Sequence, residues 1–389
     1  MRDIGFLVGG FLAGAALAVG AGTDVPDVLK TLSGKTVDSA AVWESERRPE
    51  VFELFKTHVY GRNPVERPDT LRFEQIEPDK EMMDGAALRK RVRICYSGPG
   101  GEGGFALTAF IPKSVKPAPA FLLICNRDPV KNIDPDRVEK STFWPAEEIV
   151  ARGYAALAFF NGDIDPDRHD GFTNGVHGVF QPDPSVRGDD AWGTIAAWAW
   201  GASRVMDWIE TEPLINAARV AVVGHSRGGK TALWCGASDT RFALTISNNS
   251  GCGGAKLNRM SLPRSESIAI INKALPHWFC TNFKQYGADE GALPVDQHML
   301  VALMAPRLVY VASATFDDWA GQPGEFRSCE LASPVWRLYR NQGLVGVWPP
   351  PDTPMHEGRI GYHLRSGKHN LELYDWERFM DFADRHWKK

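Results

Sequence analysis

The chain has 389 residues, of which 43% are hydrophobic and 24% are charged, enough to build one large α/β domain or two small ones. Its formal net charge is −4. A slightly acidic chain lacks the basic surface that binds phosphate backbones, so the charge excludes an electrostatically driven interaction with nucleic acid.

Residues 1–22 predict a secretory signal peptide. Arg2 precedes an uncharged stretch over residues 4–22 that is rich in alanine, glycine, leucine and valine, with small residues around a cleavage site near Ala21. The stretch is short for a transmembrane helix and rich in glycine. We therefore expect a secreted or periplasmic protein with no stable membrane span after the signal is cleaved.

The cysteines give little evidence of metal binding. They are Cys95, Cys125, Cys235, Cys252, Cys280 and Cys329. In an exported protein some of them can form disulfides, but their spacing has no metal-ligand pattern such as C-x2-C. Cys125 and Cys235 lie within apolar runs, which is typical of buried thiols.

The first half of the chain combines a helical segment with strands. Apolar residues at helical spacing over 41–58 predict a helix. Strands are predicted within 70–95, 105–111, 118–125 and 153–160, and a helix at 145–152. The apolar run at 118–125 is typical of a strand buried on both faces. The stretch 161–190, rich in glycine, aspartate and proline, predicts a long loop that is functional or packed on the surface.

The second half alternates more regularly. Strands are predicted at 219–224, 242–248, 308–314 and 360–364, and helices at 192–210, from the elbow to about 237, and at 373–387. A glycine-rich loop at 250–255 leads into an insertion with helices up to about residue 304. This alternation predicts a mostly parallel sheet with helices on both faces, a three-layer α/β sandwich. We expect residues 23–389 to form one domain with insertions.

The most informative stretch joins the strand at 219–224 to the helix behind it. Gly224-His225-Ser226-Arg227-Gly228 is a Gly-x-Ser-x-Gly sequence placed directly after an apolar strand. This is the pattern of a nucleophile elbow, in which a serine sits on a strained strand-to-helix turn. The glycines leave room around the serine backbone. The alternative is an ordinary turn with a glycine-flanked serine, but the position favours a serine hydrolase with Ser226 as nucleophile.

A serine hydroxyl is a weak nucleophile and needs a general base within reach. Four histidines lie near the C-terminus: His356, His363, His369 and His386. His363 falls inside the last predicted strand and His386 near the end of the terminal helix. His369 falls in the loop between them, which opens at the catalytic edge of the sheet. We therefore assign the base to His369; the alternative is a solvated loop histidine.

The acid of such a triad follows a strand between the serine and the histidine, because the order in this fold is Ser, acid, His. Asp317 and Asp318 follow the strand at 308–314. Asp317 is our first choice and Asp318 our second. The carboxylate would accept the Nδ1 proton of His369 and fix its tautomer. Asp289 and Asp296, in the insertion, are more typical of capping or surface groups.

Two cations follow the serine in the first turn of the predicted helix. The helix dipole disfavours cations there by about 0.3–1 kcal/mol each. Arg227 and Lys230 either tolerate this cost as solvated side chains or face the site. In the second case Arg227 would stabilise an oxyanion and Lys230 would bond a polar substrate. The backbone N–H of Arg227 should also serve the oxyanion hole, with a second donor near Asn126 and Arg127.

Several short motifs between residues 224 and 369 form a distinctive set. They are Gly-His-Ser-Arg-Gly-Gly-Lys at 224–230, Asn-Ser-Gly-Cys-Gly-Gly-Ala at 249–255, Pro-His-Trp-Phe-Cys at 276–280, Leu-Pro-Val-Asp-Gln-His at 293–298, Ala-Pro-Arg at 305–307, Asp-Asp-Trp-Ala at 317–320 and Gly-Lys-His at 367–369. Together they resemble the bacterial glucuronoyl esterases of carbohydrate esterase family 15, from about residue 25 to the C-terminus. The resemblance implies an α/β-hydrolase fold. It also implies cleavage, without a metal or organic cofactor, of the ester that joins 4-O-methyl-glucuronic acid of xylan to lignin alcohols.

The resemblance also implies roles for single residues. Ser226 would be the nucleophile, His369 the base, Arg227 an oxyanion stabiliser, and Lys230, Trp319 and Glu266 the holders of the glucuronate ring. Because the substrate carboxyl is esterified and neutral, Lys230 would act as a hydrogen-bond donor. One position departs from the family pattern: many members carry a catalytic glutamate where this chain has Asn249, which cannot supply charge beside an imidazolium. Other bacterial members carry an acid at the position of Asp317, so we assign the role there.

The sequence leaves three functions open. The leading hypothesis is a monomeric glucuronoyl esterase that acts on a uronate ester through an acyl-enzyme, with no cofactor and no nucleic-acid partner. The second is another carbohydrate esterase, such as an acetylxylan esterase. The third is a non-catalytic carbohydrate-binding relative that has lost its acid.

Overall fold

The computed structural model of the protein describes residues 24–387. The predicted signal peptide, residues 1–22, lies outside the described residues. Within the described part of the chain, no helix combines the length and the apolar character that a membrane crossing needs.

One mixed sheet forms the centre of the described structure. Its strands are β1 (Arg72–Gln75), β2 (Lys80–Met82), β3 (Ala87–Gly98), β4 (Gly101–Pro112), β5 (Ala118–Cys125), β6 (Ala155–Phe160), β7 (Ile215–His225), β8 (Leu244–Asn248), β9 (Leu308–Ala314) and β10 (Ile360–Arg365). Their order is β1-β3-β4-β6-β5-β7-β8-β9-β10, and β2 also pairs with β3. The neighbours in the series β6-β5-β7-β8-β9-β10 pair in parallel. Strands β1, β2 and β4 each pair antiparallel with β3, and β4 also pairs antiparallel with β6. The carboxyl ends of β7 to β10 therefore meet at one edge.

Side chains of the central strands pack alternately on the two faces of this sheet. On β5, Leu122 and Ile124 belong to one hydrophobic cluster, and Phe121 and Leu123 belong to another. This is the two-residue period of a strand. All four side chains are fully buried, and burial of such a side chain stabilises the fold by about 1.5–3 kcal/mol. Both faces are covered by helices, so the predicted three-layer architecture is confirmed.

The helices connect the strands and cover the sheet. The α-helices are α1 (Ala40–Val42), α2 (Arg48–Phe55), α3 (Pro129–Asn132), α4 (Ala146–Ala151), α5 (Gly175–Phe180), α6 (Thr194–Ile209), α7 (Arg227–Ser238), α8 (Ile268–Ala274), α9 (Gln297–Ala302), α10 (Gln322–Leu338) and α11 (Leu373–Trp387). The π-helical turns Trp43–Arg47 and Lys56–Tyr60 join and extend α1 and α2, which confirms the helical segment predicted over 41–58. Short 3₁₀ helices lie at Asn161–Asp163, Pro184–Val186, Thr281–Gly287 and Glu290–Ala292.

Two segments differ from the prediction. The stretch 161–190 contains α5, and its His177 is fully buried with Nδ1 2.9 Å from Asp165 Oδ1. The second segment is α10, which the sequence pattern left unassigned. Pro334 lies inside this helix and interrupts the pattern that predicts one. The helix forms because its buried face packs against α9 and β9.

The six cysteines, all within the described residues, are buried free thiols. Disulfide pairing, which the sequence allowed, does not occur in the structure. Burial raises the pKa of the Cys125 thiol to about 12, so this side chain is a neutral core residue.

Candidate active site

Ser226 occupies the turn between β7 and α7. Its φ of 57° and ψ of −122° lie in a region that non-glycine residues rarely adopt, as expected for a nucleophile elbow. A Cβ on Gly224 would lie 1.8 Å from the carbonyl oxygen of Gly228, so the turn closes only with glycine at this position. The Ser226 backbone N–H donates to Asn248 O at 2.8 Å, which fixes the turn to the end of β8.

The structure brings His369 and Asp317 into contact. Nδ1 of His369 lies 2.6 Å from Asp317 Oδ2, so a proton on Nδ1 leaves Nε2 as the free basic nitrogen. Asp317 is only 3% exposed. The second candidate acid, Asp318, is 56% exposed at its side chain and its carboxylate lies 3.6 Å from Arg264. Geometry therefore favours Asp317 over Asp318 as the acid.

The ring of His369 reaches the elbow through the residue that precedes the serine. The ring centres of His369 and His225 lie 4.4 Å apart, and Nδ1 of His225 lies 2.6 Å from Asn248 Oδ1. Burial, with a smaller effect from His369, lowers the pKa of His225 well below its ordinary value. His225 is therefore neutral, and the His369 ring packs against it.

Arg227 has an acidic partner that the sequence pattern did not single out. Its Nη1 contacts Asp167 Oδ2, and Asp167 Oδ1 lies 3.0 Å from His277 Nε2 and 2.8 Å from Trp278 Nε1. Burial alone would raise the pKa of Asp167. The hydrogen bonds from His277 and Trp278 and the charge of Arg227 outweigh burial, so the pKa lies below its ordinary value. This carboxylate offsets the cost of a cation at the N-terminus of α7.

The three residues expected to hold a sugar form one connected chain. Lys230 Nζ contacts Glu266 Oε2 at 2.8 Å, and Trp319 Nε1 donates to Glu266 Oε1 at 3.1 Å. Lys230 Nζ also donates to the carbonyl oxygens of Ser250 at 2.5 Å and Cys252 at 2.7 Å. The Lys230 side chain is 3% exposed, and Trp319 is about half exposed. Lys230 is thus a buried, fully bonded cation rather than a solvated one.

The two residues near which we predict a second oxyanion donor, Asn126 and Arg127, lie directly after β5. Asn126 is next to the first turn of α7, with Oδ1 3.7 Å from the position of a Cβ on Gly228. The neighbouring Arg127 guanidinium instead lies over the Phe143 ring, 4.3 Å from its centre. Of these two residues, Asn126 is the one that the fold places beside the elbow.

Sequence reasoning missed one buried acid near the site, Glu325 of α10. Its Oε1 accepts from the backbone N–H groups of Ser250 at 2.7 Å and Gly251 at 3.0 Å, and its Oε2 accepts from the Ser313 hydroxyl at 2.6 Å. Burial raises the pKa of Glu325 to about 7 even though these hydrogen bonds oppose the shift. The only available signal was a glutamate in an unassigned segment, and no local pattern distinguishes it from a surface residue.

The order of the three groups along the chain is Ser226, Asp317 and His369, and each follows the carboxyl end of a parallel strand. A strained serine elbow with this order and placement is the arrangement of the α/β-hydrolase class of serine hydrolases. The fold and the site therefore define a hydrolase of this class.

Comparisons with known proteins agree with this class. A family model described as "Glucuronyl esterase, fungi" matches residues 150–339. The solved glucuronoyl esterase from Solibacter usitatus is 36% identical, covers 95% of this chain and 99% of its own, and superposes with a TM-score of 0.87. A solved structure described as a promiscuous CE15 esterase from a marine bacterial metagenome is 39% identical over 93% of this chain and 96% of its own, with a TM-score of 0.83. The 4-O-methyl-glucuronoyl methylesterase 1 of Wolfiporia cocos (strain MD-104) is 30% identical over 80% of this chain and 71% of its own length. The chain belongs to the glucuronoyl esterase family, carbohydrate esterase family 15.

Proposed function

We propose that the protein hydrolyses the ester between 4-O-methyl-glucuronic acid of glucuronoxylan and lignin alcohols. The observation that carries this proposal is the chain of contacts from Lys230 through Glu266 to Trp319, which begins one helical turn after Ser226. Such a group of donors, an acceptor and a half-exposed indole suits a hydroxylated ring. The names of the relatives, a glucuronoyl esterase and a 4-O-methyl-glucuronoyl methylesterase, support the same substrate class.

In the first step, Ser226 Oγ attacks the uronyl carbonyl carbon while His369 Nε2 takes the hydroxyl proton. Asp317, 2.6 Å from Nδ1, stabilises the imidazolium that forms. The backbone N–H of Arg227 and its guanidinium would bind the oxyanion, and one such donor is typically worth about 10²–10³ in kcat.

In the second step, the tetrahedral intermediate breaks its bond to the alcohol oxygen, which leaves with the proton from His369. The uronyl group remains as an ester on Ser226. Water then attacks this ester with His369 as base, the bond to Ser226 Oγ breaks, and free glucuronate is released with Ser226 protonated again. Every proton in this route moves between the substrate, water and side chains of this chain.

The ring would be bound by exchange of existing hydrogen bonds. The three donors of Lys230 already have acceptors, Ser250 O, Cys252 O and Glu266, so a sugar hydroxyl must share or replace one of them. Glu266 can accept from sugar hydroxyls, and the half-exposed face of Trp319 can pack on the ring. The esterified carboxyl of the substrate is neutral, so Lys230 contributes a hydrogen bond rather than an ion pair.

The deciding experiment compares the wild type with Ser226→Ala on methyl and benzyl glucuronate, on the matching galacturonate esters and on acetylated xylan. We expect hydrolysis of the glucuronate esters, lowered at least about 10⁴-fold in the variant. Turnover of acetylated xylan alone would identify an acetylxylan esterase instead. A folded wild type that binds xylan but turns over none of these esters would identify a non-catalytic relative.

We also infer that the enzyme is exported. Arg2 and the apolar stretch over residues 4–22 support a signal peptide. N-terminal sequencing of the protein recovered from the periplasm or medium should begin near residue 22, and an intact N-terminus on a cytosolic protein would contradict export.

A further inference from the structure

Arg365, the last residue of β10, is a buried cation with every guanidinium nitrogen engaged. Its Nε donates to both carboxylate oxygens of Asp375 at 3.1 Å. Its Nη1 donates to Ser366 O at 3.2 Å and lies 3.3 Å from Glu372 Oε2. The Arg365 side chain is 3% exposed and that of Asp375 is fully buried, so the bonds between these two are shielded from water. A planar guanidinium with donors in a fixed fork can satisfy such a set of acceptors, whereas an ammonium cannot.

The remaining nitrogen contacts the backbone on both sides of His369. Nη2 donates to Lys368 O at 2.9 Å and to Asn370 O at 3.1 Å. The segment 366–370 is therefore wrapped around the guanidinium, with His369 at the middle of the span that Nη2 bridges. Gly367 permits this wrapping, because its φ is 133° and a Cβ there would lie 2.5 Å from Arg365 Nη1.

The same strand end holds the segment that carries Asp317. The backbone N–H of Thr315 donates to Arg365 O at 2.9 Å, and that of Phe316 donates to Gly367 O at 2.8 Å. The Gly367 N–H donates in turn to Thr315 Oγ1 at 3.0 Å. The histidine loop and the acid loop are thus joined at Arg365 and Gly367, directly before Asp317 and His369.

The counter-charge is equally fixed. Asp375 is fully buried at the start of α11, and its carboxylate also lies 2.8 Å from His363 Nε2 and accepts from the Glu372 N–H at 2.8 Å. The other ring nitrogen of His363 lies 3.0 Å from the Tyr310 hydroxyl. Arg365 is therefore anchored to the body of the sheet and to α11, rather than to the loop alone.

We propose that Arg365 is the positioning residue for His369: its guanidinium sets the two carbonyl groups that flank the base and so aims the imidazole between Asp317 and Ser226. This inference rests on the proposed role of His369 as general base. Displacement of a catalytic group by about 1 Å can lower the rate about 10²-fold. Loss of this clamp should therefore reduce kcat with little effect on substrate binding.

The test compares Arg365→Lys with Arg307→Lys. Arg307 is a matched control because its guanidinium also donates to backbone carbonyls, Phe242 O at 2.8 Å and Gly236 O at 2.6 Å, but it lies where α7 ends, away from Ser226. On methyl glucuronate, Arg365→Lys should lose about 10²-fold in kcat with KM within about twofold, and Arg307→Lys should keep kcat within about twofold. The melting temperatures of both variants measure how much stability each loses when its guanidinium is replaced.

Equal kcat losses in the two variants at equal loss of melting temperature would overturn the proposal, because Arg365 would then act only on stability. If Arg365→Lys does not fold, Gly367→Ala is the second variant, since its Cβ displaces the guanidinium without removing charge. An unchanged kcat in folded Gly367→Ala would equally overturn it. An inactive wild type would instead contradict the proposed function, so the two failures are distinguishable.

Discussion

The loops after β8 and β9 lie side by side at the carboxyl edge of the sheet, yet they contribute different chemistry. The strands pair in parallel, with Asn248 opposite Ala312. Both loops reach the histidine loop: Asn249 Nδ2 donates to Asn370 O at 3.4 Å, and Asp317 Oδ2 lies 2.6 Å from His369 Nδ1. The second loop provides a carboxylate, and the first provides an amide.

The amide of Asn249 and the carboxylate of Asp317 show that positioning the histidine loop and stabilising a charge on it are separate tasks. An amide can hold a neighbouring backbone in place, as Asn249 does, but it cannot stabilise an imidazolium. Because Asn249 follows β8, the sequence predicts the acid after β9, and Asp317, which contacts His369, lies there. Two adjacent strand ends therefore contact the same histidine loop, and the one after β9 supplies the carboxylate on His369.

The largest expected effect comes from removing the carboxylate that contacts His369. Asp317→Asn keeps the shape but permits the wrong tautomer and leaves the imidazolium without its partner, so kcat on methyl glucuronate should fall about 10⁴-fold. The matched control is Asp318→Asn, an exposed neighbour whose substitution should leave kcat within about twofold. A loss confined to Asp318→Asn would show that the acid had been assigned to the wrong residue.

A smaller effect tests whether the loop after β8 can take over the role. In the Asp317→Asn background, Asn249→Glu should raise kcat about 10-fold, because a carboxylate returns beside the histidine loop. Full recovery is not expected, since residue 249 has a φ of 48°, a left-handed conformation that costs a glutamate about 1–2 kcal/mol.

Asn249→Gln in the same background is the matched control, with the length of glutamate and no charge. It should give no recovery. If Gln and Glu raise kcat equally, the gain comes from packing, and the charge argument for the loop after β8 fails.

The sequence was sufficient for the groups whose position follows from strand ends. Ser226, Asp317 and His369 each follow a predicted strand, and the carboxyl ends of parallel strands share one edge, so local patterns placed them together. The partners of these groups were not predictable in this way. Asp167 lies in a loop with no periodic pattern, and Arg365 is the last residue of a mostly apolar strand. Asp167 and Arg365 are identified by contacts between distant parts of the chain, and a single sequence does not show such contacts.

Glu325 is the clearest case of a residue that the sequence alone does not reveal. It lies behind the loops after β8 and β9. Its carboxylate accepts from Ser250 and Gly251 in the loop after β8 and from Ser313 near the end of β9. The helix that carries it went unassigned because prolines interrupt its pattern. Its burial and its position behind the site therefore became visible only in the folded structure.

The smallest effect on turnover is expected at Glu325, where the readout is stability. Burial raises its pKa from the ordinary 4.5 to about 7, so the folded state binds this proton more tightly than the unfolded state. Protonated Glu325 therefore contributes to the free energy of unfolding in full below about pH 4.5, and this contribution is lost as the pH rises through 7. Ionisation of Glu325 between these two pH values should lower the free energy of unfolding by roughly 3 kcal/mol.

Glu325→Gln removes this titration while keeping a neutral acceptor for the Ser250 and Gly251 N–H groups. Denaturant unfolding from pH 4.5 to 8 should therefore show the variant gaining stability relative to the wild type as pH rises, with kcat at pH 8 within about threefold. Glu330→Gln, on the partly exposed part of the same helix, is the control and should show no such pH-dependent gain. A stability difference between Glu325→Gln and the wild type that stays constant across this range would mean that Glu325 is ionised throughout. The hydrogen bonds from the loop after β8 and from β9 would then outweigh the effect of burial on the pKa of Glu325. Its carboxylate would be a charged acceptor that holds both segments.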